Sequence, residues 1–404
     1  MRREKTSPGH MAWTRFRTNT AAVTGLMFII LTILISVFCY ILSPDSTPDS
    51  NDQHLELAAR KPGFKVNMLH VVKNGVIRYE SFFHRIFLGS ESPFENIPFL
   101  DYHFEGDKII LREYSDPGDP GKFYKEINLA DVVYPLAVNK PVVTKNDSIT
   151  FFLADGTTKS NDIASLQRII TDDHIEMKRF ILGTDCLGRD LLSRILTGTR
   201  VSLSVGFISV FISLVIGLTL GAAAGYYRGW TDNLIQWIIN VVWSIPTLLL
   251  VIAITMAIGR GFWQVFIAVG LSMWVEVARI VRGQVLSLRE KEFIEAARAL
   301  GFRNSRILLK HIIPNVMDQV VVIAAANFAS AILMEAGLSF LGIGVQPPTP
   351  SWGSMIKDHY GYIIVDKAYL AIIPGMAIML LVLAFTMVGN GLRDALDVKG
   401  NTNS

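Results

Sequence analysis

Apolar residues fall along this chain in six long blocks separated by polar ground: residues 21–42, 201–226, 234–258, 262–281, 315–337 and 368–389. Each reaches the ~20 residues that an α-helix needs to cross the hydrocarbon core of a bilayer. The pattern therefore predicts six membrane-spanning helices. A different pattern occupies residues 45–180. Three turn signals stand there, Lys73-Asn74-Gly75, Glu105-Gly106-Asp107 and Asp155-Gly156, each beside runs rich in β-branched and aromatic residues. They predict hairpins pairing 66–72 with 76–83, 99–104 with 109–114, and 148–153 with the run after Gly156. Asp162 can cap a helix reaching Ile170, and a Pro/Gly-rich joint fills 116–121. The expected fold class is mainly α, a polytopic membrane protein of six transmembrane helices with a small α+β insert between helices 1 and 2. The expected divisions are 1–44 (N-terminus and first helix), 45–180 (insert) and 181–404 (five-helix body).

Composition agrees with the pattern. The chain is 50% hydrophobic and 18% charged, with mean hydropathy +0.38, too apolar for an ordinary soluble domain. Arg2, Arg3, Lys5, Arg15 and Arg17 precede the first block, which places the N-terminus in the cytoplasm. That block is too long for a signal-peptide core, and no small-residue cleavage site follows Leu42, so the first helix is read as retained. Six crossings return the C-terminus to the cytoplasm. The basic stretch 289–314 then falls inside, while the short turn 259–261 and the insert fall outside. The insert holds 16 Lys/Arg against 21 Asp/Glu, a balance of −5, whereas the rest holds 22 against 14, a balance of +8. An acidic exterior on a basic-inside body fits that topology. Cys39 and Cys186 are too few and too far apart in sequence to imply a disulfide framework.

The stretch 289–314 reads REKEFIEAARALGFRNSRILLKHIIP. Residues 290–300 are strong helix formers and stop at Gly301, a natural helix-ending residue. Asn304 or Ser305 can cap a second helix, limited at its far side by Pro314. Ala296, Ala297 and Gly301 leave little bulk, so a partner's backbone can approach closely, and Glu295, Arg298, Arg303 and Arg306 ring that smooth patch with charge. Taken alone, this is an amphipathic connector. However, Glu295-Ala296-Ala297, then Gly301, then Ile312-Ile313-Pro314 resembles the "EAA" loop of bacterial ABC importer permeases. In that family the loop is a cytoplasmic coupling helix seated in a groove of the ATP-hydrolysing subunit. The resemblance implies ATPase-coupling roles for Glu295, Ala296, Ala297, Arg298, Gly301 and Pro314.

Three further motifs strengthen it. Leu182-Gly183-Thr184-Asp185-Cys186-Leu187-Gly188-Arg189-Asp190-Leu191-Leu192-Ser193-Arg194 resembles the LGTDxxGRDxxSR segment before the second span in permeases of dipeptide, oligopeptide and nickel importers. There, Thr184 or Asp185 can cap a short amphipathic helix at the outer membrane surface, with Arg189 and Arg194 reaching toward headgroups or partners. Thr184, Asp185, Gly188, Arg189 and Asp190 are its candidate residues. The Gly183-to-Gly188 spacing also mimics a phosphate-binding loop, but Arg189 and Asp190 replace the required Lys and Ser/Thr, so no nucleotide site is assigned. Residues 335–353, EAGLSFLGIGVQPPTPSWG, resemble the family's outer loop, and Gly391-Leu392-Arg393-Asp394-Ala395-Leu396-Asp397 resembles its tail. Three positions depart from the family pattern. Trp237 and Asn240 stand where an Arg and an Asp are usual, and Asn390 stands where Asp is frequent.

Within the spans, Gly217, Gly221 and Gly225 recur every fourth residue, a smooth stripe for helix packing inside the chain. Pro246 should kink the third span, and Glu276 and Arg279 lie one turn apart and can pair. Glu335, with Pro246, Ser339 and Phe340, forms the candidate pathway or outer gate, Glu335 being placed at the external mouth because a lipid-facing carboxylate is costly.

The resemblance implies an inner (plasma) membrane permease subunit forming half of a peptide pathway. Its implied partners are a second homologous permease, two ATP-binding subunits, an extracytoplasmic binding protein and membrane lipid, without nucleic acid. ATP and Mg belong to the partner ATPases; no cofactor, metal or catalytic residue is assigned to this chain. The alternative cargo is nickel or another small solute. An ion-coupled secondary transporter would call for several intramembrane charges and inverted repeats; Glu335 is the only carboxylate near the expected pathway, and no such repeat is visible. A membrane-anchored enzyme would need a site in the insert, where His54, His70, His84, His103 and His174 show no metal-ligand spacing and no Ser-His-Asp arrangement.

Overall fold

A computed structural model describes residues 8–74, 81–115, 123–138, 140–145, 147–259 and 261–397. The charges at positions 2, 3 and 5, the run 76–80 and the joint 116–121 lie outside the described residues. The chain forms two compact units. One comprises Met1–Ser36, Gly198–Tyr360 and Ala371–Ser404; the other comprises Val37–Thr197 and Gly361–Leu370.

The chain starts with α1 (Pro8–Thr18) and the apolar α2 (Thr20–Val37). Phe38 interrupts the helix, and α3 (Cys39–Leu42) opens the second unit. That unit contains β1 (Phe64–Val72), α4 (Phe82–Leu88), β2 (Phe94–Glu105), β3 (Lys108–Glu113), β4 (Tyr124–Asn128) and α5 (Leu129–Val133). It continues through β5 (Val143–Lys145), β6 (Ser148–Phe152), β7 (Thr158–Asp162), α6 (Ile163–Ile169) and β8 (Ile175–Phe180). The strands make an antiparallel five-stranded sheet in the order β4-β3-β2-β1-β8 and a three-stranded sheet in the order β5-β6-β7.

Two of the three expected hairpins form: β2 with β3 around Gly106, and β6 with β7 around Gly156. Asp162 caps α6 by accepting from the Ser165 N–H at 3.3 Å. For the first expected hairpin, residues 76–80 of the second run lie outside the described residues. A strand has two edges, and both edges of β1 are taken, Leu69 facing Ile97 on one side and Ile175 on the other. Asn74 bridges to α5 and the segment after it, donating to Asp131 at 2.8 Å and accepting from the Leu136 N–H at 2.6 Å. Residues 82–88 are helical. Strand alternation explains the burial of β1 on both faces. Leu69 and Val71 join a core with Phe99, Ile109, Phe151 and Leu166, while Val66 and Met68 join Leu57 and Phe180 on the opposite face.

The chain then enters α7 (Leu191–Tyr227), α8 (Gly229–Trp243), α9 (Thr247–Ile258), α10 (Phe262–Arg289), α11 (Glu292–Ala299), α12 (Asn304–Ile307), α13 (Ile313–Phe340), α14 (Trp352–His359) and α15 (Tyr369–Leu396). Among the described residues, five helices are long and apolar enough to cross a membrane: Thr20–Val37, Leu191–Tyr227, Phe262–Arg289, Asn304–Phe340 and Tyr369–Leu396. A sixth crossing is available if α8 and α9, bent by 93°, count as one span. The kink expected at Pro246 is thus a full break. Ser244, Ile245 and Pro246 leave the helix, and the Pro246 carbonyl accepts the first bond of α9, from Leu250 at 3.0 Å.

The glycine stripe packs within the chain. A Cβ on Gly221 would stand 2.5 Å from the Ala278 carbonyl, and one on Gly225 would stand 2.8 Å from the Arg282 carbonyl. These glycines let α7 lie against the backbone of α10, so a side chain at either position would push the helices apart.

Candidate functional site

The charged stretch folds as a short helix on a rigid support. Ile294 and Ala297 of α11 are buried against Tyr226 of α7, Val285 of α10 and Ile307, Ile312 and Val316 on the far side of the loop. Ala297 therefore faces inward, unlike the expected outward patch: its small size serves packing between helices. The outward face carries Glu295, Ala296 and Ala299, flanked by exposed Phe293 and Leu300. Those two apolar side chains were not anticipated. Their position relative to buried Ile294 is the signal, since residues one and six places away leave the buried stripe of a helix.

Gly301 ends α11 as expected. Its φ is +75°, and the Phe302 N–H bonds the Ala297 carbonyl at 3.1 Å while the Gly301 N–H bonds that of Arg298 at 2.9 Å. This double closure satisfies the last carbonyls and requires the left-handed conformation that glycine adopts without strain. Nothing lies within 4 Å of where its Cβ would stand, so the requirement is conformational rather than steric.

The second helix differs from expectation in both its ends. Arg303 occupies the cap position without a side-chain bond, and the Asn304 side chain instead accepts from the Tyr226 hydroxyl at 2.8 Å. Pro314 does not stop the helix. A π-turn over Leu308–Ile312 widens it by one residue, the Ile313 N–H bonding the Leu308 carbonyl. Pro314 then follows the π-turn, in the first turn of α13. Charge ties the base of the loop together. Arg228 meets Glu290 at 2.5 Å, Arg282 grips Asp232 bidentately at 2.6 and 2.8 Å, and Arg289 and Arg298 stack over Tyr226. Arg279 lies over the Trp243 ring, 3.3 Å from its centroid, in place of the expected role as partner of Glu276. Glu276 helps line a cavity of about 70 Å³ beside the helix break, with Trp243, Ile245, Thr247, Ser330 and Met334.

The segment 182–194 is an interior knot of the second unit. The Asp185 side chain is fully buried. It accepts from the N–H groups of Leu187 and Arg189 at 2.9 Å each, and from Arg189 Nε at 2.6 Å, with Arg194 Nε 3.5 Å away. Arg189 and Arg194 are only 5% and 4% exposed, so they point inward, not toward headgroups. Buried guanidinium groups demand a paired carboxylate, and Asp185 is that carboxylate. Thr184 accepts from the Arg60 N–H at 2.8 Å and donates to the Leu57 carbonyl. Asp190, rather than Thr184 or Asp185, caps the long helix α7, accepting from the Ser193 N–H at 2.8 Å and from its hydroxyl. Burial holds the Asp190 carboxyl above its ordinary range, against those bonds to Ser193. Gly188, at φ +74°, has no room for a Cβ, which would overlap the His54 carbonyl.

Glu335 also lies inside. It is fully buried, not lining an open mouth, and its Oε1 accepts from the Ser339 hydroxyl at 2.6 Å. Ser351, which caps α14, donates to Ser339 at 3.2 Å. The chain doubles back at Gly342 with the same double closure as at Gly301, and the missing Cβ of Gly353 admits the Ala336 backbone. Phe340 is exposed and meets Tyr360 edge-on at 5.8 Å. Pro246 is exposed at the break between α8 and α9.

A short helix exposed on one face and packed among long helices apolar enough to cross a membrane is the architecture of a multi-pass membrane protein. Comparison with known proteins identifies which. The chain matches the family of binding-protein-dependent transport system inner membrane components over residues 217–399 and the N-terminal TM domain of oligopeptide transport permease C over residues 7–62. The glutathione transport system permease protein GsiD of Escherichia coli O6:K15:H31 is 45% identical over 217 residues, covering 54% of this chain and 71% of that protein. GsiD of Pectobacterium atrosepticum is 44% identical over 218 residues, covering 54% and 72%. The inward-facing MetNI methionine ABC transporter aligns with a TM-score of 0.43 at 23% identity, covering 51% of this chain and 96% of that chain. The chain belongs to the binding-protein-dependent transport inner membrane component family and is an ABC importer permease subunit, a multi-pass membrane protein. That membership sets aside the ion-coupled secondary transporter.

Proposed function

We propose that this subunit forms half of an import pathway for peptides and couples it to ATP hydrolysis through α11. A second homologous permease completes the pathway, two ATPase subunits hold ATP and magnesium, and an extracytoplasmic binding protein delivers cargo; this chain itself performs no covalent chemistry. The names of the glutathione permease relatives and of the oligopeptide permease domain favour a peptide cargo. Both termini and α11 are assigned to the cytoplasm, which the basic N-terminus and basic loop support, and residues 45–180 to the opposite side.

One observation carries the coupling role: Glu295 and Ala296 stand exposed on a helix whose opposite side, Ile294 and Ala297, is buried among residues of α7, α10 and α13. Close-packed interiors transmit displacement because they compress little. A push on the outward face therefore reaches the long helices. In this reading Glu295, Ala296, Arg298 and Gly301 meet the ATPase, while Ala297 and Pro314 hold the support. The break at Pro246 and the cavity beside Glu276 are assigned to the pathway, and Glu335, Ser339 and Phe340 to the loop that closes its outer end.

Ala296→Arg tests the coupling. Ala296 is exposed, so the long side chain leaves the fold of this chain intact while obstructing a partner's close approach. ATP-driven uptake by the complete transporter in proteoliposomes should fall by at least tenfold; uptake at the wild-type rate would overturn the assignment. Peptides should be the cargo on the gently purified cognate binding protein, and nickel or a sugar found there instead would overturn the peptide reading alone.

A further inference from the structure

The second unit presents an apolar helix that its own core does not cover. In α4, with sequence FFHRIFL, only Ile86 is buried. Phe82 is 67%, Phe83 70% and Leu88 56% exposed. Large exposed apolar side chains on one arc with His84 and Arg85 on the other are the composition of a helix that lies in a membrane interface. This one is also held firmly, which excludes a reading as a loose loop tip. Gly89, at φ +78°, ends it against the Ser46 carbonyl and the Tyr40 ring, where a Cβ would stand 2.8 and 3.1 Å away, and the Ser90 N–H bonds the Ser46 carbonyl at 3.0 Å. The helix packs on α3, whose Ile41 and Leu42 are exposed as well.

Chain continuity says what medium meets this face. Val37, the last residue of the membrane-crossing α2, is the first residue of this unit, and α3 starts two residues later. Leu42 follows the end of the span by five residues, a chain length of about 8 Å in helical conformation. The headgroup layer on each side of the hydrocarbon is about 5–8 Å deep. A second exposed apolar segment in the same unit is likewise tethered to a span. Ile363, Ile364 (90% exposed) and Val365 end four residues before α15 begins. Their loop is braced by the Lys61–Asp366 ion pair at 3.0 Å, which holds the Asp366 carboxyl below its ordinary range.

We infer that α4, with the exposed apolar residues of α3 and the 363–365 loop, forms a lipid-facing rim that dips into the membrane interface, so that the inserted unit rests on the bilayer. Phe82, Phe83 and Leu88 enter the apolar layer, while His84 and Arg85 reach back to the headgroups by extending along it. The rim gives the unit attachments to the membrane besides the chain ends that lead into the spans. The occupant is lipid, because Phe and Leu are the side chains an interfacial helix buries and because α3, on which α4 packs, and the 363–365 loop both border spans.

The test is a depth measurement on the complete transporter in nanodiscs of phosphatidylethanolamine and phosphatidylglycerol. Nitroxide labels are placed by Phe83→Cys and Ile364→Cys in a Cys186→Ser background, Cys39 being buried. Thr158→Cys, exposed on β7, is the water-facing control. Labels at 83 and 364 should collide with oxygen several-fold more, relative to a water-soluble nickel chelate, than the label at 158 does. A ratio equal to that at 158 would show water at the rim and overturn the inference. An immobile label shielded from both reagents would show a protein partner there and equally overturn it. Lipid contact at 364 without contact at 83 would overturn it for α4. Leu88→Cys is the second reporter for α4 should the label at 83 disturb assembly.

Discussion

Replacing Asp185 by asparagine isolates the role of one buried charge. The asparagine carbonyl can still accept from the Leu187 and Arg189 N–H groups, so the turn keeps its bonds and shape. What disappears is the negative charge that faces Arg189 Nε at 2.6 Å and Arg194 Nε at 3.5 Å. Removing one member of a buried ion pair costs about 3–5 kcal/mol, because the other member stays buried and uncompensated. The lower end applies here, since Arg189 also donates to Asn51 at 3.1 Å and Arg194 to the Asp49 carbonyl at 3.4 Å. In a folding unit of this size, 1 kcal/mol shifts the melting temperature by about 2–4 °C, so the loss is on the order of 10 °C. All seven tryptophans lie in the other unit and would report on the wrong part of the molecule. Cys39 is fully buried in the affected unit, so the temperature at which it reacts with a maleimide, in a Cys186→Ser background, reads this unit directly. Arg189→Met added to Asp185→Asn should recover part of the loss. An unchanged midpoint for Asp185→Asn would show that the two guanidinium groups do not depend on that carboxylate, and the account of this knot would fall.

Gly221→Ala should lower the yield of folded subunit in membranes, costing about 1–3 kcal/mol, because its Cβ meets the Ala278 carbonyl at 2.5 Å; Gly283→Ala, with nothing within 4 Å, should leave the yield unchanged or raise it. Ser339→Ala removes the hydroxyl that donates to buried Glu335 and should cost about 1–3 kcal/mol, read as a lower solubilised melting temperature. Glu335→Gln, which still offers an acceptor to Ser339, should cost less, and a larger loss than for Ser339→Ala would refute the structural role. Burial alone would raise the Asp52 carboxyl, but His54, 3.2 Å away, and the Asn96 amide at 2.8 Å outweigh it and bring it down to about 2. A lowered folded pKa contributes stability that is complete above the unfolded value near 4 and vanishes as pH falls through 2, on the order of 2 kcal/mol in all. Asp52→Asn should therefore flatten the acid dependence of Cys39 protection between pH 4 and 2, and an unaltered slope would refute the pairing.

Much of this protein was legible along the chain because the determining physics is local. Apolar runs of spanning length mark helices whatever surrounds them, since an unbonded backbone is prohibitive in lipid. Gly301 announces a helix end, because left-handed closure favours glycine wherever it occurs. The hairpins at Gly106 and Gly156 were readable for the same reason, as was the family, whose signature is carried by contiguous motifs. Tertiary structure alone decided which way side chains face. Strand β1 takes β8, more than 100 residues further on, as a partner at Leu69, opposite β2. Arg189 and Arg194 turn inward because Asp185 is buried between them, and charge composition carries no sign of burial. Ala296 and Ala297 are indistinguishable as residue types, yet one faces out and the other locks three helices together. Pro314 looks like a stop, and becomes the first turn of a long helix once a π-turn absorbs the register. For Ala297 the deciding contacts join residues far apart in the chain, from Tyr226 to Val316, which residue type and spacing cannot express.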